Sequence, residues 1–446
     1  MATTADIEIS RKLSILSAFS DKFAEERKVS NKHDTSKGPK DFMFAVHIAC
    51  FFVGFMNVMP MVFFSTAKSY WMYKFRNVTL GDAITEGQDR TRLQVYFQPA
   101  LMAGGTVPSV ICTILLTFYG HKIPSMFRSL ASLVLLGLVF AIFAIFTQIN
   151  TDSWQTGFFA LTVILLMMNS AGVATFQMSS VILIAKLPPS YMFWYLLGQN
   201  GTLLTTSLQV ISVAVTDSSI TSGLIYFTAG TTLITIALTF VMIARKSQIF
   251  KYYEVENIKD QHAEHINFGE MKKLLIQIWP TLVVVGVLFF TFSFIHPSVT
   301  TLVESEYADE KTAWTQKYFT PTIVFLLAEI SSIVGRVLSR KFLVTHSNKW
   351  WYILALTVRL ICTPFYLFCN AQPRSHLPVI FGHDWEFITG HILFSMSMGF
   401  LMHVGFMSIR TLAEGKTEVG LKIVTLTLSL VSAASTFNGF LTVMLL

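Results

Sequence analysis

From residue 126 to 148 the chain reads MFRSLASLVLLGLVFAIFAIFTQ, with Arg128 its only charge. A helix needs about 20 mostly apolar residues to cross a hydrocarbon core, so this stretch predicts a membrane span. Outward from it, similar stretches recur at 42–68, 94–119, 156–185, 191–215, 220–244, 274–299, 318–342, 350–370, 386–409 and 419–445. The expected fold is therefore an all-α polytopic membrane protein with about 11 transmembrane helices. Composition agrees. Of 446 residues, 53% are hydrophobic and 13% charged, about half the charged share of a soluble domain. The mean hydropathy is +0.56, and the 40 Phe suit lipid-facing and helix-packing roles.

The net charge of +7 would hint at nucleic acid in a soluble protein. Here the basic residues sit in short loops and the N-terminal tail, where anionic headgroups and the topology rule explain them, so no nucleic-acid partner is expected. One set of loops holds Lys122, Arg128, Lys186, Arg245, Lys246, Lys251, Lys259, Lys272, Lys273, Arg340, Lys341, Lys349, Arg410, Lys416 and Lys422. The opposite set holds Lys74, Arg76, Arg90, Arg92, Lys311, Lys317 and Arg374, and its loop at 300–317 is acidic. The positive-inside rule then predicts the N-terminus inside and, with an odd count, the C-terminus outside. Residues 1–41 read as a disordered cytoplasmic tail without a cleavable signal peptide. The polar linker 245–273 divides the spans into a six-helix bundle at 42–244 and a five-helix bundle at 274–446. Such halves commonly rock about a midplane site. On the outer side Asn77-Val78-Thr79 forms a glycosylation acceptor pattern; Asn200-Gly201-Thr202 lies within a span and is discounted.

Enzyme signatures fail. Glu414-Gly415-Lys416-Thr417 resembles the end of a phosphate loop, but Arg410 stands where the first glycine belongs. His262, Glu264 and His265 lack zincin spacing and sit in the polar linker. Cys50, Cys112, Cys362 and Cys369 fall in apolar stretches without metal-ligand spacing. No cofactor or metal is implied.

The informative residues are polar groups inside spans, which are expensive in hydrocarbon and mark pathways. Glu329, Ser332 and Arg336 share one helix face by their spacing. Arg336 offers a rigid donor fork for ribose oxygens or a base carbonyl. Glu329 can accept from hydroxyls or a cationic group. The bland alternative for this trio is a buried pair that fixes packing, or Arg336 snorkelling toward the interface. Gln177 donates and accepts at once, as a nucleobase edge requires, or bonds between helices. Arg359 reads as a packing residue. Glycines and prolines at Gly54, Pro60, Gly104, Gly105, Pro108, Gly198, Gly201, Pro280, Pro297 and Pro364 favour close approach and local breaks.

These residues fall into an ordered set. Gly54 precedes Met59-Pro60-Met61-Val62-Phe63-Phe64 and Thr66-Ala67; then come Lys122-Ile123-Pro124 with Arg128, Gln177 with Leu187-Pro188-Pro189-Ser190-Tyr191 and Gly198-Gln199, Gly335-Arg336, and Arg359-Leu360 with Pro364 and Cys369-Asn370. In order and spacing the set resembles the equilibrative nucleoside transporter family over nearly the whole chain after the tail. The resemblance implies a major-facilitator-like, 6+5 pseudo-two-fold bundle that carries nucleosides, and in some members nucleobases, by alternating access. It implies substrate contacts at Gln177 and Arg336, a first-helix lining of Val58, Met61 and Ser65, a second-helix lining of Thr106 and Ser109, and Phe325, His296 and Pro297 beyond. It also implies an inner gate at Arg128, paired with Glu418, and a monomer in the plasma membrane. The chain departs from the family pattern at Ser332, where Asp is usual, at Glu329, where Asn is usual, and at Met61 and Val62, where Trp and Asn are usual. The carboxylate has moved about one turn, which opens a second expectation: organic-cation transport or proton coupling through Glu329.

Overall fold

The computed structural model describes residues 44–78, 91–216, 218–259, 268–296, 299–310, 319–372 and 376–435, with a few isolated positions besides. Apart from Pro39 and Asp41, the predicted tail 1–41 lies outside them, as does the His262, Glu264 and His265 trio. The described chain is helical: α1 (Ala45–Met56), α2 (Met59–Thr66), α3 (Lys68–Lys74), α4 (Arg92–Tyr119), α5 (Ser125–Gln148), α6 (Gln155–Ala185), α7 (Pro189–Gly198), α8 (Thr202–Val215), α9 (Ser219–Lys246), α10 (Gln248–Lys259), α11 (Phe268–Ile295), α12 (Ala328–Leu338), α13 (Lys349–Cys362), α14 (Asp384–Leu412) and α15 (Thr417–Ala434). Among the described residues the only β pairing is two isolated bridges, Val303 with Ala371 and Cys369 with Phe381.

Among the described residues, eight helices are long and apolar enough to cross a membrane. The chain is thus an integral, multi-pass membrane protein. Two predicted spans fall short as single helices because they break. The first divides into α1 and α2 at Asn57 and Val58, with Pro60 in the first turn of α2, where a missing N–H costs nothing. The fifth divides into α7 and α8 across Gln199–Gly201. The eighth opens with a π-helical stretch, Thr320–Leu327, before α12. The last predicted span extends beyond α15 into residues outside the described set.

Phe packing holds the bundle. Phe63 stacks on Tyr226 at 4.2 Å between ring centroids and meets Phe140 edge-on, while Trp71 contacts Phe97, Phe143 and Phe227. Where helices touch backbone to backbone, glycine is required. A Cβ on Gly54 of α1 would lie 1.9 Å from the Tyr195 carbonyl oxygen of α7, and one on Gly198 would lie 2.0 Å from that of Phe51. The α12–α14 crossing repeats this device, with Gly335 against Met396 and Gly399 against Ser332. Overpacking typically costs about 1–3 kcal/mol. Gly54→Ala is therefore expected to lower the thermal midpoint of the purified protein; an unchanged midpoint would show that the crossing is loose.

The acidic loop between α11 and the π-helical stretch is clasped to the start of α14. Ser305 Oγ donates to Asp384 Oδ2 at 2.6 Å, and the Glu306 amide donates to Asp384 Oδ1 at 3.0 Å. His383 Nδ1 lies 2.8 Å from Glu306 Oε2. That hydrogen bond, and then the carboxylate's charge, raise the His383 pKa above its ordinary 6.5. A histidine whose pKa rises on folding stabilises below its ordinary value, and the contribution is lost as pH climbs through the raised one. The ring is exposed, so the effect is small. Melting midpoints of wild type and His383→Gln should differ at pH 6 and converge as pH rises past the raised value; a constant difference would discount the charge.

Candidate functional site

A cavity of about 480 Å³ opens among the broken helices, within the range of small-molecule sites. Its wall includes Val58 at the α1–α2 break, Ser109 of α4, Gln177 of α6, His296 just past α11, Phe325 of the π-helical stretch, and Glu329, Ser332 and Arg336 of α12. All eight were singled out from sequence. Regular α geometry through Ala328–Leu338 puts Glu329, Ser332 and Arg336 on one face.

The break between α7 and α8 supplies groups that a continuous helix could not. The last carbonyls of a helix lack intrahelical donors. Arg336 Nη1 donates to one of these, the Leu196 carbonyl oxygen of α7. Asn200, at the break, donates from Nδ2 to Glu329 Oε2 at 3.2 Å and to the Glu329 carbonyl oxygen at 3.4 Å. Asn200 is 5% exposed, and its Oδ1 is buried without a hydrogen-bond partner. Thr202, the first residue of α8, lies against the same carboxylate. Asn200 Oδ1, Thr202 Oγ and the Glu329 carboxylate thus form a group of acceptors in a largely apolar cavity. The substrate that suits it brings donors.

The facing wall is built differently. His296 Nδ1 lies 3.1 Å from Thr300 Oγ. His391 Nε2 faces the Val324 carbonyl oxygen at 3.1 Å, and its Nδ1 faces the Tyr366 hydroxyl at 2.9 Å. Since a carbonyl only accepts, Nε2 carries the hydrogen and Tyr366 donates to Nδ1. Val324 belongs to the π-helical stretch, a geometry that recurs at functional sites. The pair ties that stretch to α14 and shapes the cavity beside Phe325.

Sequence reasoning missed Asn200, Thr202, His391 and Tyr366 as lining residues. The signal for the first two is the polar run Gln199-Asn200-Gly201-Thr202 in mid-span, part of which has the form of a glycosylation triplet. Two other expectations are not met. Met61 and Thr106 are not on the cavity wall. Met61 packs over Gly105, whose missing Cβ makes its room, and Asn169 Nδ2 donates to its sulfur at 3.8 Å. Ser65 lies on α2 with its side chain outside the described set, and Pro297 is outside it altogether. Arg359 donates to the Phe394 carbonyl oxygen at 2.5 Å and to Ser397 Oγ, with its guanidinium 3.5 Å above the Phe394 ring, which is a packing role. Arg128 and Glu418 both line a second, smaller cavity, where Glu418 pairs with Lys422 at 3.2 Å. Asn77 is exposed beyond α3.

The comparisons with known proteins now bear on this arrangement. The family described as "Nucleoside transporter" matches residues 256–434. Human equilibrative nucleoside transporter 1 is 27% identical over 413 residues, covering 82% of this chain and 90% of that protein. Equilibrative nucleoside transporter 3 of Rattus norvegicus is 25% identical over 425 residues, covering 89% of each. Over most of its length the chain is similar to the equilibrative nucleoside transporters, at 25–27% identity. It is not an enzyme. Solved structures bear on the fold. The proton:xylose symporter XylE, of the major facilitator superfamily, superposes with a TM-score of 0.56 at 15% identity, covering 90% of this chain and 88% of that one. A second D-xylose–proton symporter structure gives 0.54. At that identity the likeness shows the major-facilitator architecture and no more.

Proposed function

We propose that this protein carries nucleosides, and nucleobases with them, across a membrane by facilitated alternating access, with the substrate held between two helical halves. One observation carries the reading. The cavity gathers Gln177, Glu329 and Arg336 with Asn200 of the α7–α8 break, so donors and acceptors converge in a space that fits a small polar solute. Gln177 meets the base and Arg336 the ribose side. Val58, Ser109, Ser332, Phe325 and His296 complete the wall. The proposal includes eleven spans in a six-plus-five arrangement, the N-terminus inside and the C-terminus outside. It also includes an inner gate at Arg128 and Glu418, glycosylation at Asn77, and a monomer at the plasma membrane in contact with lipid.

A second reading rests on Glu329 itself. A carboxylate in the cavity, anchored by Asn200 at 3.2 Å, suits an organic cation or a transported proton. Uptake of labelled adenosine and uridine against a monoamine, at two outside pH values in a transporter-null cell, separates the readings. Saturable nucleoside uptake without a pH gradient requirement supports the first. Monoamine uptake that Glu329→Gln abolishes supports the second and overturns the first.

A further inference from the structure

Gly335 of α12 lies against the Met396 carbonyl of α14, and Gly399 of α14 against the Ser332 carbonyl of α12. Four residues on from these glycines stand Ser339 and His403, on the same two faces. Ser339 is fully buried and His403 is 2% exposed. Neither lines the large cavity.

The close crossing brings the two side chains together. Ser339 Oγ lies 2.7 Å from the Arg336 carbonyl oxygen and 2.6 Å from His403 Nδ1. A hydroxyl has one hydrogen and a carbonyl only accepts, so that hydrogen goes to Arg336. His403 Nδ1 then donates to Ser339, and in the neutral ring Nε2 is a bare acceptor. Nε2 is buried and, among the described residues, has no hydrogen-bond partner. Phe193 of α7 meets the ring edge-on at 5.5 Å.

For packing alone a histidine is a poor choice here. An unpaired ring nitrogen away from water costs stability that Leu or Met would not, and polar side chains inside spans mark functional places. What the ring supplies is a hold on Arg336. That residue lies in the last turn of α12, and the final carbonyls of a helix have no intrahelical donors. Ser339 satisfies the Arg336 carbonyl, and His403 ties Ser339 to α14.

We infer that His403 is a positioning residue for Arg336. Through Ser339 it fixes the turn from which the guanidinium reaches the Leu196 carbonyl oxygen and the cavity. A rigid donor fork depends for its aim on the backbone that carries it. The inference rests on the nucleoside reading, with Arg336 on the ribose side.

The test is competition against labelled uridine uptake in transporter-null cells, normalised to surface protein. Unlabelled uridine and uracil are the competitors. H403L should weaken uridine about threefold to tenfold, the loss of one hydrogen bond, and leave uracil, which has no ribose, unchanged. Its thermal midpoint should not fall, since the unpaired nitrogen goes with the ring. H403N places an amide near the position of Nδ1 and should restore uridine. H403Q carries its amide further out, near Nε2, and should not. This pair reports even if H403L fails to fold. In an S339A background H403L should add nothing, because the two act as one unit. Equal losses for uridine and uracil, restoration by H403Q as well as by H403N, or wild-type affinity in H403L overturns the inference and leaves the nucleoside reading standing. A wild type without saturable uridine uptake overturns that reading, and the inference with it.

Discussion

Arg336→Ala is expected to lower nucleoside uptake by at least about a hundredfold while the protein still reaches the membrane. The guanidinium does two things at once. It closes the α7–α8 break by donating to the Leu196 carbonyl oxygen, and among the described residues it presents the one guanidinium on the cavity wall. Truncation leaves a buried carbonyl unpaired, at a cost of about 1–3 kcal/mol, and removes the charge that faces the substrate. About 2.7 kcal/mol corresponds to a hundredfold loss in uptake efficiency. Lysine should not rescue, because a point charge on a flexible stem cannot reach a backbone carbonyl and a substrate oxygen in one fixed fork. Initial rates of labelled uridine uptake, normalised to surface protein, decide it. Normal rates would remove Arg336 from the site. Rescue by lysine would reduce its role to charge alone.

Glu329→Gln is the second large effect. It keeps the shape and leaves an oxygen for the Asn200 contact, at 3.2 Å in the wild type, while removing the charge and turning one acceptor oxygen into a donor. Hydrogen bonds to an ionised carboxylate contribute about 1.5–3 kcal/mol, against 0.5–1.5 for neutral pairs. Ribonucleosides, whose paired hydroxyls can donate to Glu329, Thr202 and Asn200 Oδ1, should then lose about tenfold in apparent affinity. A 2′,3′-dideoxynucleoside, which lacks those donors, should change little. Competition against labelled uridine uptake measures both. An equal loss for the two ligands would mean that Glu329 shapes the cavity without reading the sugar. Unchanged affinity for both would take it out of the site.

The bundle was legible in the sequence because hydrocarbon selects long apolar runs. Helix lies in every predicted segment. The shortfall to eight continuous candidate helices comes mostly from the interruptions that make the cavity. Asn57 and Val58 divide the first segment and Gln199–Gly201 the fifth. Glu329, Ser332 and Arg336 were readable as one face because α12 keeps α-helical spacing from Ala328 onward. Asn200 and Thr202 were not, because their importance comes from Glu329, a contact 129 residues away in sequence, and their triplet mimics a modification signal. His391 is one of several polar residues along α14, and only its Tyr366 and Val324 partners give it meaning. Met61 was expected on the wall by position. The space over Gly105, which no single-chain pattern announces, draws it into helix packing.

The central claim is facilitated nucleoside transport, and purified protein in proteoliposomes tests it most directly. With labelled uridine outside and no ion gradient, the account predicts saturable influx that stops when internal and external concentrations are equal, and that speeds up when unlabelled uridine is preloaded inside. Influx indistinguishable from protein-free vesicles, or accumulation that needs an imposed proton gradient, would contradict it.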